Sequence, residues 1–133
     1  LAVRGHIAGK DGIYAAALLV EMLAVTGKSV SQLYREITDK YGMLYYEDAA
    51  FTMTQARKAE LQEKLFVKLE VPDFGNTVEK INRTDGCKVY FTDGSWVICR
   101  FSGTEPLLRM AAEGESQSQA RTYIRIWREE LGL

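Results

Sequence analysis

From Ile13 onward, apolar residues fall at 13, 16, 17, 20, 23 and 24, the i, i+3, i+4, i+7 spacing of one helix face, with further apolar residues on the other side. A helix of that kind needs neighbours on most of its surface. Gly27 is placed to end it, and Ser29-Val30-Ser31-Gln32 offers a capping box for a second helix with Val30, Leu33 and Ile37 in one stripe, stopped by Gly42. Two helices with no sheet to cover make residues 1–42 a poor autonomous fold. They are expected to be the end of a truncated domain.

Met43 to Met53 is aromatic-rich and compatible with extended structure, and Gln55 to Leu69 is helical in composition with Leu61, Leu65 and Leu69 in register. Pro72-Asp73-Phe74-Gly75-Asn76 reads as a loop, beyond which the apolar period changes from 3.6 to 2. Cys87, Val89 and Phe91 alternate up to Asp93-Gly94, Trp96-Val97-Ile98 resumes after it, and Asp85-Gly86 sits one strand earlier. Asp-Gly is a strong hairpin signal, so residues 78–101 are predicted to form a three-stranded antiparallel meander, with a fourth strand at 106–112. Ser116-x-x-Gln119 is another capping box, opening a helix with Ala120, Tyr123, Ile124, Trp127 and Leu131 on one face. The expected fold class is α+β, a four-stranded antiparallel sheet with helices on one face. Phe91 and Trp96 are expected in the core beneath those helices. If Asp93-Gly94 is a two-residue turn, Cys87 opposes Arg100 and Cys99 opposes Lys88, which sends the two thiols to opposite faces.

Composition narrows the classes. With 133 residues, 47% of them apolar, and 17 basic against 18 acidic side chains for a net charge of −1, the chain is neither disordered nor a binder of nucleic acid or membrane through bulk charge. The longest apolar run, Ile13 to Val25, is thirteen residues and contains Glu21. A membrane span needs about twenty. Cys87 and Cys99 cannot make the multi-bridge framework of a small secreted domain and are not spaced like zinc ligands, so a reducing, cytoplasmic setting is expected. The chain opens Leu1-Ala2-Val3-Arg4, without an initiator Met or a leader pattern, and is expected to be a fragment of a longer protein.

The densest polar signal is Arg100-Phe101-Ser102-Gly103-Thr104-Glu105-Pro106-Leu107-Leu108-Arg109, at the turn between the third and fourth strands. Two guanidinium forks, two hydroxyls and a glycine that lets the backbone approach closely suit a phosphate. The competing reading is an ordinary Ser-Gly-Thr turn flanked by solvated strand-end arginines. Lys10-Asp11-Gly12 before the first helix reads as a helix start capped by Asp11, and the lone His6 as a surface residue.

The string Arg-x-Ser-Gly-Thr-Glu-Pro-x-x-Arg at 100–109 resembles the phosphate-binding loop of the α-D-phosphohexomutases, the phosphoglucomutase/phosphomannomutase superfamily. His6-Ile7-Ala8-Gly9-Lys10-Asp11-Gly12-Ile13 is similar to the segment just after the family's sugar-recognition loop in its third domain, and the order and spacing of the two motifs fit. The resemblance implies a four-domain enzyme that moves a phosphoryl group between the 1- and 6-hydroxyls of a hexose through a phosphoserine and a bisphosphorylated sugar. Residues 1–42 would be the C-terminal remnant of domain three, helices from the end of an α/β domain. Residues 43–133 would be domain four, a TATA-binding-protein-like unit. Arg100, Ser102, Gly103, Thr104 and Arg109 would hold the phosphate not undergoing transfer, with Lys10 and His6 as possible active-site contacts. The implied partners are a phosphorylated hexose and the other domains of the same polypeptide, not nucleic acid or a membrane.

Two parts of the family's chemistry have no counterpart in this sequence. No Ser-His motif occurs, since the only histidine, His6, follows Gly5, and no Asp-x-Asp-x-Asp run exists to hold Mg²⁺. The acidic residues are scattered, as Asp39, Asp48, Asp73, Asp85 and Asp93 illustrate. Phosphoryl transfer needs a positioned nucleophile and a metal that neutralises charge, so the catalytic residues and Mg²⁺ ligands are expected outside the fragment, which alone should be inert. The alternative from another class is a non-enzymatic α+β interaction module holding protein or nucleic acid through its sheet or through Arg121, Arg125 and Arg128 of the last helix. A solvated face partnered by Glu129 and Glu130 is the plainer account of those arginines.

Overall fold

The computed structural model describes residues 3–7, 9–68, 71–103 and 105–133. The chain divides into two compact units, residues 1–43 and 44–133. The first holds helices α1 (Gly12–Thr26) and α2 (Val30–Tyr41). Asp11 caps α1 by accepting from the Tyr14 amide, Gly27 ends it in the left-handed region at φ 66°, and Ser29 and Gln32 form the reciprocal box that starts α2. Every one of these signals was local. No single helix among the described residues is long and apolar enough to cross a membrane.

The second unit contains strand β1 (Tyr45–Thr52), helix α3 (Gln55–Gln62) running into a π-helical turn at Glu63–Val67, strands β2 (Val78–Asn82), β3 (Cys87–Phe91), β4 (Trp96–Phe101) and β5 (Leu107–Gly114), and helix α4 (Gln117–Leu131). The sheet is antiparallel throughout, in the order β1-β5-β4-β3-β2. It therefore has five strands, not four. The aromatic segment after Gly42 becomes β1 and pairs in full register with β5, Tyr45 opposite Gly114 through Thr52 opposite Leu107.

One face of this sheet is covered. Cys87, Val89, Phe91, Val97, Cys99, Leu108, Met110 and Ala112 pack with Leu61 and Leu65 from α3 and its π turn, and with Tyr123, Ile124, Trp127 and Leu131 from α4. Leu69 lies outside the described residues. Phe74, from the loop before β2, meets Phe91, Tyr123 and Trp127 edge-on at centroid distances of 5.4, 5.7 and 5.7 Å.

The β3–β4 turn has three residues rather than two. Phe91 N–H donates to Ser95 O at 2.9 Å, Gly94 N–H donates to Phe91 O at 3.0 Å, and Gly94 takes φ 86°. That extra residue slips the register by one, so Cys87 stands opposite Cys99 and both point into the core. Both remain free thiols. Burial pushes both up from their ordinary values, with Cys87 adding to the effect on Cys99. The same slip moves Trp96. With Val97 and Cys99 inward, Trp96 lies on the opposite, open face, its Nε1–H donating to Glu113 at 2.9 Å and the Lys88 ammonium 3.7 Å from its ring centroid.

Asp93 anchors the turn. It accepts from the Ser95 amide and hydroxyl, Asn76 and Gln119, while the Tyr123 hydroxyl bonds Ser95, Asn76 and Gln119. Burial acts to raise the Asp93 carboxyl, but these hydrogen bonds outweigh it and hold the group below its ordinary 3.8. A carboxyl depressed on folding adds stability above its unfolded value and loses it as pH falls through the folded value. Melting temperature is therefore expected to fall with pH below about 4. The Asp93→Asn variant should show a flatter acid limb, measured by circular dichroism, and an unchanged limb would remove Asp93 as a source of acid lability.

Candidate functional site

The open face of the sheet carries the polar residues. Along β4 these are Trp96, Ile98 and Arg100, and opposite them on β5 are Glu113, Ala111 and Arg109. Sequence reading placed Arg100 and Arg109 on either side of a loop. Folding sets them directly opposite each other, side by side at the mouth of the 102–106 turn. With Tyr46, Asp48 and Ala50 of β1 they line a shallow groove of about 320 Å³.

Arg100 donates from Nη1 to Asp85 at 3.0 Å, whereas Arg109 is exposed and has no ion-pair partner among the described residues. Asp85 reaches Arg100 because Gly86 turns the chain beside it at φ 97°. A Cβ at Gly86 would fall 2.6 Å from Cys99 O and 3.0 Å from Arg100 Cβ, so only glycine fits.

The turn itself is tied down through its carbonyls. Ser102 O accepts from Lys58 Nζ at 2.8 Å, Glu105 O from the same ammonium at 3.4 Å and from Leu107 N–H at 2.8 Å, and Pro106 O from Met53 N–H at 2.9 Å. Ser102 N–H is also used, donating to Leu107 O at 2.8 Å. A Cβ at Gly103 would meet nothing within 4 Å, so no neighbouring protein atom demands glycine there. Thr104 lies outside the described residues. The sequence motif thus missed two contributors, Asp85 and Lys58, whose positions 15 and 44 residues from Arg100 and Ser102 gave no local signal.

In the first unit, His6 Nε2 lies 2.8 Å from Asp11 Oδ2, and its ring stacks on Tyr14 at 4.1 Å. The His6 hydrogen bond and the Tyr14 amide hold the Asp11 carboxyl below its ordinary range. Lys10 is exposed. On α4, Arg121 pairs with Glu47, Arg125 with Glu129, and Arg128 donates to Leu133 O, while Glu130 pairs instead with Lys64. Among the described residues no three His, Cys, Asp or Glu side chains converge to hold a metal ion, so no ligand set fits the Mg²⁺ that the family resemblance implies.

An antiparallel sheet backed by helices on one face, with an arginine-flanked turn joining its inner strands β4 and β5, places the second unit in the α+β class. Residues 49–126 match the model of the phosphoglucomutase/phosphomannomutase C-terminal domain, and residues 1–41 match that of the same family's alpha/beta/alpha domain III. The chain belongs to the phosphoglucomutase/phosphomannomutase family. It is 33% identical over 127 residues to the phosphoglucomutase/phosphomannomutase of Thermococcus kodakarensis, covering 96% of this chain and 24% of that protein. It is 27% identical over 150 residues to phosphoglucomutase-1 of Bos taurus, covering 95% and 25%. The chain thus spans about a quarter of the length of the curated relatives it matches. A Thermus thermophilus protein assigned as a phosphomannomutase superposes with a TM-score of 0.65 at 22% identity, and Paramecium parafusin with 0.57 at 23%, each over 96% of this chain and 24% or 27% of the other. At those identities the likeness speaks to the fold.

Proposed function

We propose that residues 44–133 form the phosphate clamp of a phosphohexomutase, holding the phosphate of a hexose phosphate that is not being transferred. The nucleophilic serine and Mg²⁺ site belong, in this reading, to the remainder of a longer cytoplasmic polypeptide, and the chain alone is inactive. The observation that carries the reading is the direct opposition of Arg100 and Arg109. Like charges facing each other across a strand pair destabilise it. Asp85 offsets only one of the two, whereas a phosphate dianion accepts from both forks at once.

A clamp of guanidinium groups, hydroxyls and turn N–H groups recognises the phosphate and not its point of attachment. That suits a bisphosphorylated intermediate, which must turn over between two transfers and present either phosphate to the same site. Ser102 and Gly103 sit at the mouth of the turn, and Thr104 is assigned from the motif. Lys10 and His6 are secondary candidates, since His6 is engaged by Asp11.

The test is an amide NMR titration of the 133-residue chain with inorganic phosphate and then glucose 6-phosphate. Shifts confined to Asp85 and residues 100–109 are expected. Shifts along Arg121 to Arg128 with an oligonucleotide, and none with phosphate, would replace the clamp by an interaction module. Asp85→Asn should tighten phosphate binding by about threefold at low salt, because it removes an exposed competing carboxylate, and the gain should fade as salt is added. Weaker binding in that variant would reassign Asp85 to orienting Arg100.

A further inference from the structure

Three carbonyls of the 102–106 turn are directed to protein donors, and Lys58 takes two of them. The side chain rises from the first turn of α3, where Thr54 accepts from the Arg57 amide as the helix cap. It is half-buried, and its ammonium bridges the two ends of the turn, at Ser102 and Glu105. A trans peptide sets its C=O and N–H on opposite sides. With Ser102 O directed to Lys58, the Gly103 N–H of the same peptide unit points the other way. Glu105 O belongs to the peptide with Pro106, which has no N–H to offer.

We infer that Lys58 is a positioning residue for the phosphate site, holding the Ser102 and Glu105 carbonyls away from the ligand so that the Gly103 N–H faces it. The inference rests on the clamp reading above. Lys58 does not touch the anion, and it contributes in two ways. A carbonyl oxygen turned toward a phosphate repels it, and Lys58 removes that arrangement from the turn's repertoire before the ligand arrives. Its positive charge also lies at the oxygen end of the Ser102–Gly103 peptide, which polarises the N–H end toward an anion.

Phosphate affinity of the full chain, followed by amide NMR, tests this in Lys58→Met, Lys58→Gln, Lys58→Arg and Arg100→Ala. Lys58→Met, which keeps the aliphatic stem, should bind about tenfold more weakly, the equivalent of one charge-assisted hydrogen bond. It should also lose the phosphate-induced shift of the Gly103 amide while its melting temperature stays within a few degrees of wild type. Lys58→Arg keeps the charge and the reach, and should restore most of the affinity. If Arg100→Ala weakens binding but Lys58→Met does not, the Lys58 inference falls and the clamp stands. If neither variant changes binding, or wild type shows no phosphate shift, the clamp itself falls. Failure of both neutral variants to fold also overturns the inference, because the ammonium then serves the fold rather than the turn.

Discussion

Arg100→Ala is expected to weaken inorganic phosphate binding by about 30-fold, the largest effect of any single substitution at the site. Hydrogen bonds to charged groups contribute about 1.5–3 kcal/mol each, and a guanidinium offers two in parallel. Arg100 is 46% exposed, so solvent screens part of that, and about 2 kcal/mol remains, which is roughly 30-fold in affinity. The substitution leaves Arg109 as a single fork and also releases the Asp85 carboxylate beside the groove. Arg125→Ala is the control, since Arg125 bonds Glu129 on its own helix and lies away from the 100–109 turn in the sequence. An Arg100→Ala affinity within twofold of wild type, by the same titration, would exclude the guanidinium from the phosphate site.

Trp127→Ala is expected to lower the melting temperature of the 44–133 unit by about 20 °C. Trp127 is fully buried at the centre of α4's inner face and packs edge-on against Phe74, which in turn meets Phe91 and Tyr123. Truncation of a buried Trp costs about 3–5 kcal/mol. In a domain of this size each kcal/mol shifts the midpoint by roughly 4–8 °C, and total stability is on the order of 5–15 kcal/mol. Trp127→Phe should cost much less, since the buried Nε1–H has no hydrogen-bond partner among the described residues to lose. Thermal unfolding by circular dichroism measures both. A drop below about 5 °C for the alanine variant would mean that the core collapses around the missing ring.

Much of this protein was legible one segment at a time. Asp11, Ser29 and Ser116 each accept the backbone N–H their spacing promised, and Gly27 takes the left-handed conformation that ends α1. Capping depends on residues three or four apart, so adjacent sequence contains the whole interaction. Only the second half of the Ser116 box departs, with Gln119 accepting from Glu115 rather than from the cap. The apolar face of α4 and the alternation in β3 were equally visible, because burial of one face writes its period directly into the chain.

The turn at 92–94 shows where such reading stops. Asp-Gly marked the hairpin correctly, yet two-residue and three-residue turns share that signal, and one residue of slip reverses which side chains face the core. Cys99 and Trp96 changed faces for that single reason, while Cys87 stayed on the core side with Phe91 and changed only its partner.

The sequence by itself determined the helices, their caps, the meander and the Arg-Ser-Gly-Thr-Glu-Pro-Arg string, because each rests on contacts among near neighbours. Only the tertiary structure decided that residues 45–52 close the sheet beside β5, that Arg100 and Arg109 stand opposite each other, and that Asp85 and Lys58 attend them. Those facts depend on strand pairing and side-chain reach across tens of residues. Partners in such pairings are selected by burying a common core, which no local pattern encodes.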